Sequence, residues 1–314
     1  MTYEKKSKRW TTSNIPPQSG RRVIITGATS GIGWETALQL ARAGAYVVLT
    51  ARTTAKGEDA VDRIRSIFPS ARIRPSILDL ASFQSIREFA AREGDQPLDL
   101  LVNNAGAMAT KRRELTVDGF ERTFATNYLG PFALTGLLLP ALLRTDEARV
   151  VTVASAASKQ GKIDLNDLQS DRHYKLTASY ARSKLAGLIF AIELQRRIDV
   201  TKTPLVSVAC HPGYAITNLQ NSELSLGMAV LAAILRPWAS QDAAHGALPT
   251  LFAATSSEAQ PGGYYGPDGP LEAKGFPVPV PIPKRARNTE LAKRLWSISE
   301  QLTGVSFGLL SRVP

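Results

Sequence analysis

The feature that most constrains the fold is a regular alternation of short apolar runs and amphipathic stretches. Seven runs predict strands, at 23–26, 45–50, 72–78, 98–103, 149–153, 205–210 and 263–265. Apolar residues at helical spacing predict helices between them, at 34–42, 55–68, 82–92, 119–143 and 179–197, and Ser82 is expected to be the N-cap of the third. Apolar strands that alternate with helices are typical of a parallel sheet covered on both faces. The pattern therefore predicts an α/β fold with a doubly wound parallel sheet of about seven strands.

The chain has no internal repeat and no long low-complexity linker, so we expect a single domain over residues 21–270. Residues 1–20 form an N-terminal extension, and 271–314 form a C-terminal extension. The segment 267–284 is rich in Pro and Gly and is expected to lie extended on the surface. Residues 288–302 have apolar residues on one helical face, which predicts a final helix that packs onto the domain.

The inventory of metal-ligating residues argues against a metal site. The only cysteine, Cys210, rules out an intramolecular disulfide and a cysteine-based metal site, and it is expected to be a small buried residue. The three histidines, His173, His211 and His245, are not at metal-ligand spacing. We therefore predict no metal, and we expect His211 to be structural.

The net charge of +11 indicates attraction to anions. The basic residues are spread along the chain apart from 5–9 and 284–287, and no nucleic-acid-binding motif occurs. We therefore expect an anionic small ligand and no nucleic acid. The N-terminus is polar and no apolar run approaches the roughly 20 residues of a transmembrane helix, so the expected location is cytoplasmic, with peripheral membrane association left open.

A glycine-rich turn, Thr26-Gly-Ala-Thr-Ser-Gly-Ile-Gly33, joins the first strand to the first helix. Glycines let the backbone approach a pyrophosphate closely, and the helix N-terminus offers free N–H groups and partial positive charge. In this position between strand and helix, the turn predicts a dinucleotide site in a Rossmann-like domain. The expected cofactor contacts in the turn are Gly27, Thr29, Ser30, Gly31, Ile32 and Gly33.

The end of the second strand predicts which dinucleotide is bound. An acidic residue there would bind the ribose 2′-hydroxyl of NAD, but no acid occurs before Glu58. Arg52 instead offers a planar cation suited to a 2′-phosphate, and Thr53 and Lys56 could assist. This favours NADP(H) over NAD(H), against the alternative that Arg52 is a solvated loop residue.

The spacing T-G-x-x-x-G-x-G resembles the short-chain dehydrogenase/reductase family, and three later segments agree. Asp79-Leu80 resembles the aspartate segment that contacts the adenine ring in that family. Asn103-Asn-Ala-Gly106 resembles its N-N-A-G segment, which implies cofactor contacts from Asn104, Ala105 and Gly106. After the sixth strand, Pro212, Gly213 and Thr217 resemble the P-G-x-x-x-T segment near the nicotinamide.

The catalytic prediction rests on Tyr180 and Lys184, which share a helix face at positions i and i+4. A free tyrosine has a pKa of about 10, so proton exchange near neutral pH requires a pKa about 3 units lower. A nearby ammonium could provide part of that decrease by stabilising the phenolate. The resemblance implies that Ser155 hydrogen-bonds the substrate oxygen, that Asn127 holds a water in a proton relay, and that Lys184 also contacts the nicotinamide ribose. The implied reaction transfers a hydride between NADP(H) and a carbonyl or alcohol, with Tyr180 as general acid and base.

The branch is indicated by the long separation of 25 positions between Ser155 and Tyr180 (180 − 155). The segments 163–169, 263–269 and 295–302 resemble the retinol dehydrogenase-like and WW-domain oxidoreductase-like branch. An apolar stripe at 218–238 and Met108 would favour a lipophilic substrate. Apolar outer helix positions such as Leu188 and Phe190 could form the interface of a homodimer.

Three other interpretations stay open at this stage. A non-enzymatic, cofactor-sensing protein on the same fold commonly loses the tyrosine or lysine, and both are present here. The extended epimerase and dehydratase group shares Tyr-x-x-x-Lys but usually has a different glycine spacing. A protein that binds nucleic acid or a membrane surface through its charge is the third.

Overall fold

The computed structural model describes residues 9–213 and 242–310, and the statements below concern these residues. Eight strands form one sheet: β1 Arg22–Ile25, β2 Tyr46–Ala51, β3 Ile73–Ile77, β4 Leu100–Asn103, β5 Ala148–Val153, β6 Leu205–Cys210, β7 Tyr264–Pro267 and β8 Pro277–Pro279. Their order across the sheet is β3-β2-β1-β4-β5-β6-β7-β8. Every neighbouring pair is parallel except β7 and β8. The predicted doubly wound parallel sheet is confirmed, with one strand more than expected.

Helices cover both faces of the sheet: α1 Gly31–Arg42, α2 Thr54–Ile67, α3 Phe83–Glu93, α4 Arg122–Phe124, α5 Gly130–Leu142, α6 Leu176–Thr201, α7 Ala243–Thr255 and α8 Thr289–Thr303. The cluster on one face draws on α1, α2 and α7, and the cluster on the other draws on α3, α5, α6 and α8. Strand order reverses between β1 and β4, and ligands of such sheets bind in the crevice at that point. The glycine-rich turn follows β1, at this crevice.

The expected long helix at 119–143 is interrupted. It consists of the short α4, a π-helical turn at Ala125–Leu129 and α5. Pro131 lies in the first turn of α5, directly after the π-helical turn. A π-helical turn is typical of functional sites, because it widens the backbone and redirects side chains. This one contains Asn127.

The chain beyond β7 belongs to the core. In the proline-rich segment, Pro277–Pro279 pairs with β7 as β8. Trp296 of α8 and the following Phe307 are buried, and both pack against Phe132 and Phe190 of the main core.

The expectation that Leu188 and Phe190 are outer positions is wrong. Both are buried within the single chain, because α8 and Phe307 cover that side of α6. The prediction that Ser82 caps α3 is confirmed, since its side chain accepts a hydrogen bond from the Ser85 N–H. Among the described residues, no helix combines the length and apolar character needed to cross a membrane.

Candidate active site

The glycine-rich turn packs directly on the segment that follows β4. Gly27 and Gly31 have φ of +64° and +58°, which favour glycine. A Cβ at Gly27 would lie 2.7 Å from the Cα of Ala105, and one at Gly33 would lie 2.3 Å from Nδ2 of Asn104. The glycines are therefore needed for the contact between the two turns as well as for backbone conformation.

Hydrogen bonds from Thr26 and Asn104 hold the same two turns together. The Thr26 hydroxyl donates to the Val102 carbonyl at 3.2 Å and accepts from the N–H groups of Asn104 and Ala105, both at 3.0 Å. The Asn104 side-chain amide donates to the carbonyls of Thr26 and Gly27 at 2.8 and 3.1 Å. The edge of the crevice is thus fixed from both sides.

The start of α1 fits an anionic cofactor. Ser30 is the N-cap residue, but its side chain makes no capping hydrogen bond. The first-turn N–H groups therefore keep their capacity to bind an anion, and the helix dipole favours negative charge there. Arg63 donates to the Thr29 carbonyl at 2.6 Å and so holds the turn in place. Ile32 is buried beneath it.

Arg52 is exposed just after β2 and forms no ion pair with the described residues. Its neighbour Thr53 is the N-cap of α2, and its hydroxyl accepts from the Lys56 N–H. After β3, one Asp79 carboxylate oxygen accepts from the Ala81 N–H at 2.9 Å, and Leu80 is buried. These residues follow β2 and β3 at the carboxyl edge of the sheet, on one side of the point where the strand order reverses.

Asn127 ties the segment after β4 to α6. Its Oδ1 accepts from the Ala107 N–H at 2.7 Å, and its Nδ2 donates to the Ala107 carbonyl and to the Ser183 hydroxyl, both at 2.9 Å. Its side chain is therefore committed to the protein itself.

Ser155 and Tyr180 are brought together across the 25 intervening positions (180 − 155). Ser155 is the N-cap of a 3-10 helix at Ala156–Gln160, and its hydroxyl accepts from the Ala157 N–H at 3.2 Å. Burial raises the pKa of Tyr180, and the nearby Ser155 side chain opposes that rise. The charge of Lys184 is not among the causes of that shift.

Lys184 is buried, and its ammonium donates to the Val153 carbonyl at 2.9 Å. Burial lowers the pKa of Lys184 to about 8. A Cβ at Gly106 would lie 3.2 Å from the Lys184 Nζ and 3.6 Å from the Asn127 Oδ1. Lysine, asparagine and the segment after β4 therefore meet at one point.

A cavity of about 10 Å³ lies behind this point, lined by residues that include Asn127 and Lys184. That volume is near the minimum for one water molecule. Two buried oxygens of residues on its lining, Asn103 Oδ1 and Thr152 Oγ1, have no hydrogen-bond partner among the described residues. The sequence analysis did not single out Thr152, because a threonine within an apolar strand gives no sign that its hydroxyl will lie unpaired at a cavity.

The segment His211-Pro212-Gly213 leaves β6 at the same edge of the sheet. Thr217 and the apolar stripe at 218–238 lie outside the described residues. His211 is fully buried and binds Glu272, a residue that the sequence did not single out because its partners are 61 and 113 positions away (272 − 211 and 272 − 159). Within residues 9–213 and 242–310, no group of three or more acidic, histidine or cysteine side chains could hold a metal ion.

Known proteins are similar to this chain both in sequence and in fold. The short chain dehydrogenase family matches residues 21–225. Mouse polyprenol dehydrogenase is 40% identical over 309 residues, covering 94% of this chain and 87% of that protein. Human retinol dehydrogenase 12 is 38% identical over 293 residues, covering 91% and 87%.

Among solved structures, the crystal structure of an uncharacterised protein from Mycobacterium paratuberculosis has a TM-score of 0.80 and 40% identity. It covers 96% of this chain and 99% of its own. The family match spans well over half of the chain, and the relatives are similar along nearly all of it. The chain therefore belongs to the short-chain dehydrogenase family of oxidoreductases, in its retinol dehydrogenase-like branch.

Proposed function

We propose that the protein exchanges a hydride between NADP(H) and a carbonyl or alcohol, with Tyr180 as general acid and base. The observation that carries this proposal is the position of Tyr180, which has the Ser155 side chain near its phenol and shares a helix with the buried Lys184. The pair lies at the edge of the sheet where the glycine-rich turn ends β1. A bound nicotinamide would supply or take up the hydride at the substrate carbon.

Tyr180 and Ser155 would both bind the substrate oxygen. In the reductive direction, two hydroxyl donors polarise the carbonyl and stabilise the developing negative charge. Burial raises the pKa of Tyr180, which keeps the phenol protonated and ready to donate its proton. In the oxidative direction the same phenol must accept a proton, which requires additional positive charge beside it.

Lys184 supplies that positive charge at a cost in stability. Its ammonium is nearly dry, and its pKa near 8 still leaves it mostly protonated at neutral pH. The cavity of about 10 Å³ with two unpaired oxygens is suited to one water next to Lys184. We assign the passage of the proton from Tyr180 toward solvent to Lys184 and to a water in this cavity, which Asn127 also lines.

Arg52 supports the choice of NADP(H). It is exposed and unpaired among the described residues at the end of β2, and the residues from 49 to 54 include no acid that would repel a 2′-phosphate. A guanidinium binds a phosphate through two parallel hydrogen bonds. The remaining cofactor contacts proposed are those of the glycine-rich turn, Asp79-Leu80, the 104–106 segment, Tyr180, Lys184, Pro212, Gly213 and Thr217.

A lipophilic substrate is the third part of the proposal. Two relatives are named for polyprenol and retinol, which are apolar alcohols. The apolar stripe at 218–238 and Met108 in this sequence agree with that class. A non-enzymatic cofactor sensor is the alternative, and the assays below separate it.

Replacing Tyr180 by Phe should lower the rate of NADPH-dependent aldehyde reduction at least about 100-fold, because the general acid is lost. Binding of NADPH should stay within about threefold, since the ring is kept. Tyr174→Phe is the matched control, because its phenol donates to the Thr110 carbonyl at 2.7 Å and does not contact Ser155. Equal losses in the two variants, or no turnover by the unchanged protein, would contradict the proposed role.

Aliphatic aldehydes of increasing chain length should react with kcat/KM rising about three- to fourfold for each buried methylene, because each contributes about 0.8 kcal/mol. The measurement is NADPH oxidation across a series that also includes polyhydroxylated aldehydes. Turnover of the polar aldehydes alone would overturn the lipophilic assignment while leaving the reaction type intact.

Without added cofactor at pH 7, the free energy of unfolding of Lys184→Met should be higher than that of the wild type. Lysine binds more protons in the unfolded state between pH about 8 and 10.5, so the wild type gains stability as pH rises through that window. The variant's advantage should therefore shrink by about 2 kcal/mol between pH 7 and pH 10 in denaturant titrations. The exposed Lys162→Met should show no such trend, and a pH-independent advantage in Lys184→Met would argue against a buried ammonium.

Arg52→Ala should weaken NADPH binding about ten- to 100-fold, as expected for a charge-assisted contact, and change NADH binding less than about threefold. Calorimetry or cofactor fluorescence measures both. Arg72→Ala is the control, because Arg72 is exposed at the opposite end of the neighbouring strand β3. Tighter binding of NADH by the unchanged protein would refute the choice of NADP(H).

A further inference from the structure

The Glu272 carboxylate joins two segments that flank the candidate active site. Its Oε2 lies 2.9 Å from Nε2 of His211, directly after β6. Its Oε1 lies 2.7 Å from Nζ of Lys159. Lys159 belongs to the 3-10 helix Ala156–Gln160, whose N-cap is Ser155.

Both partners of Glu272 are hydrogen-bond donors. Nδ1 of His211 accepts from the Gly213 N–H at 3.2 Å, which places the proton of a neutral ring on Nε2. Burial lowers the pKa of His211, while Glu272 opposes that shift and Lys159 adds to it. Tyr264 packs against the same imidazole ring. Only a group with two acceptor oxygens satisfies both partners, so the position requires a carboxylate.

The backbone around Glu272 is held in an unfavourable conformation. Leu271 and Glu272 both have φ of +55°, which is uncommon for residues other than glycine. Two glycines make room for this arrangement. A Cβ at Gly266 would lie 2.2 Å from Nε2 of His211, and one at Gly213 would lie 2.4 Å from the Ala273 carbonyl oxygen. Such strain persists only where surrounding contacts impose it, and it is concentrated at functional sites.

Two further contacts fix the Ser155 turn from the same part of the chain. The Tyr264 hydroxyl donates to the Ser155 carbonyl at a long 3.5 Å. Arg285 donates to the Gly161 carbonyl at 3.1 Å, at the end of the 3-10 helix. The serine turn is thus supported by residues that lie more than 100 positions later (264 − 155 = 109).

We propose that Glu272 is a positioning residue, which sets the distance between the Ser155 turn and the His211–Gly213 segment. Through Lys159 it holds the hydroxyl that would bind the substrate oxygen, and through His211 it holds the segment on the cofactor side. This inference rests on the proposed function for its kinetic consequences. Its structural part is independent of that function.

Glu272→Gln tests the proposal in the full chain. The amide has one acceptor oxygen and turns an N–H group toward one of the two donors, so one link must break. We expect kcat for aldehyde reduction to fall about tenfold or more, because small displacements of catalytic groups cost large factors in rate. NADPH binding should fall by a smaller factor than kcat, since the glycine-rich turn and Arg52 are untouched and only the contacts of the His211–Gly213 segment loosen.

Asp268→Asn is the matched control within the same loop. Asp268 accepts from the Phe276 N–H at 2.9 Å and holds the base of the loop, but it does not contact His211 or Lys159. Unchanged kcat in Asp268→Asn and lowered kcat in Glu272→Gln would support the proposal. Equal losses in both variants would show that loop order alone matters, which would overturn it.

Lys159→Met is a second test of the proposal, and it leaves the contact between Glu272 and the buried His211 in place. If the link is a single unit, Lys159→Met should lower kcat to a similar degree, and the double variant should be no worse than the more damaging single variant. Multiplicative losses would mean that the residues act separately, against the proposal.

Hydrogen exchange separates failure of this proposal from failure of the proposed function. Glu272→Gln should increase amide exchange in both 156–161 and 211–213, with the unfolding midpoint reporting global stability. If the wild type catalyses no reduction but exchange rises in both segments, the proposed function fails and the link stands. If exchange stays unchanged in both, the positioning proposal fails whatever the activity.

Discussion

The contact between the turns after β1 and β4 is the constraint on which the candidate site depends. Gly27 and Gly33 lie so close to Ala105 and Asn104 that no side chain fits between them, and the Thr26 hydroxyl serves three backbone groups across the gap. This contact sits where the strand order reverses. It therefore fixes the start of α1, with its uncapped N–H groups, relative to the 104–106 segment against which Asn127 and Lys184 pack.

The burial of Lys184 serves the proposed chemistry but lowers the stability of the folded protein. Burying an ammonium is costly, and burial accordingly lowers the pKa of Lys184 even though its ammonium donates to the Val153 carbonyl. Two unpaired oxygens line the cavity beside it. Such a concentration of unpaired polar groups around one buried lysine is typical of active sites. Tyr180, in contrast, has near its phenol a side chain from a separate segment, that of Ser155.

The C-terminal part of the chain supports the site as well as the core. Phe307 and Trp296 complete the aromatic cluster around Phe132 and Phe190. Glu272 and Arg285 reach back to the 3-10 helix that begins after Ser155. Residues on the two sides of the predicted boundary near residue 270 are therefore joined in the structure. Both the aromatic packing and the polar contacts cross it.

The sequence by itself determined the sheet and its parallel character and predicted a candidate site at the carboxyl edge, because apolar periodicity, glycine spacing and the Tyr180–Lys184 interval are local patterns. It predicted β6 at its true bounds and placed the N-cap of α3 on Ser82. Other features depended on contacts between distant positions: the π-helical turn at Asn127, the burial of Leu188 and Phe190, strand β8, and the Glu272 link. A helix face is inward or outward only relative to what covers it, and a carboxylate is a bridge only once folding brings two donors to it. Those facts belong to the tertiary structure, since no interval along the chain encodes them.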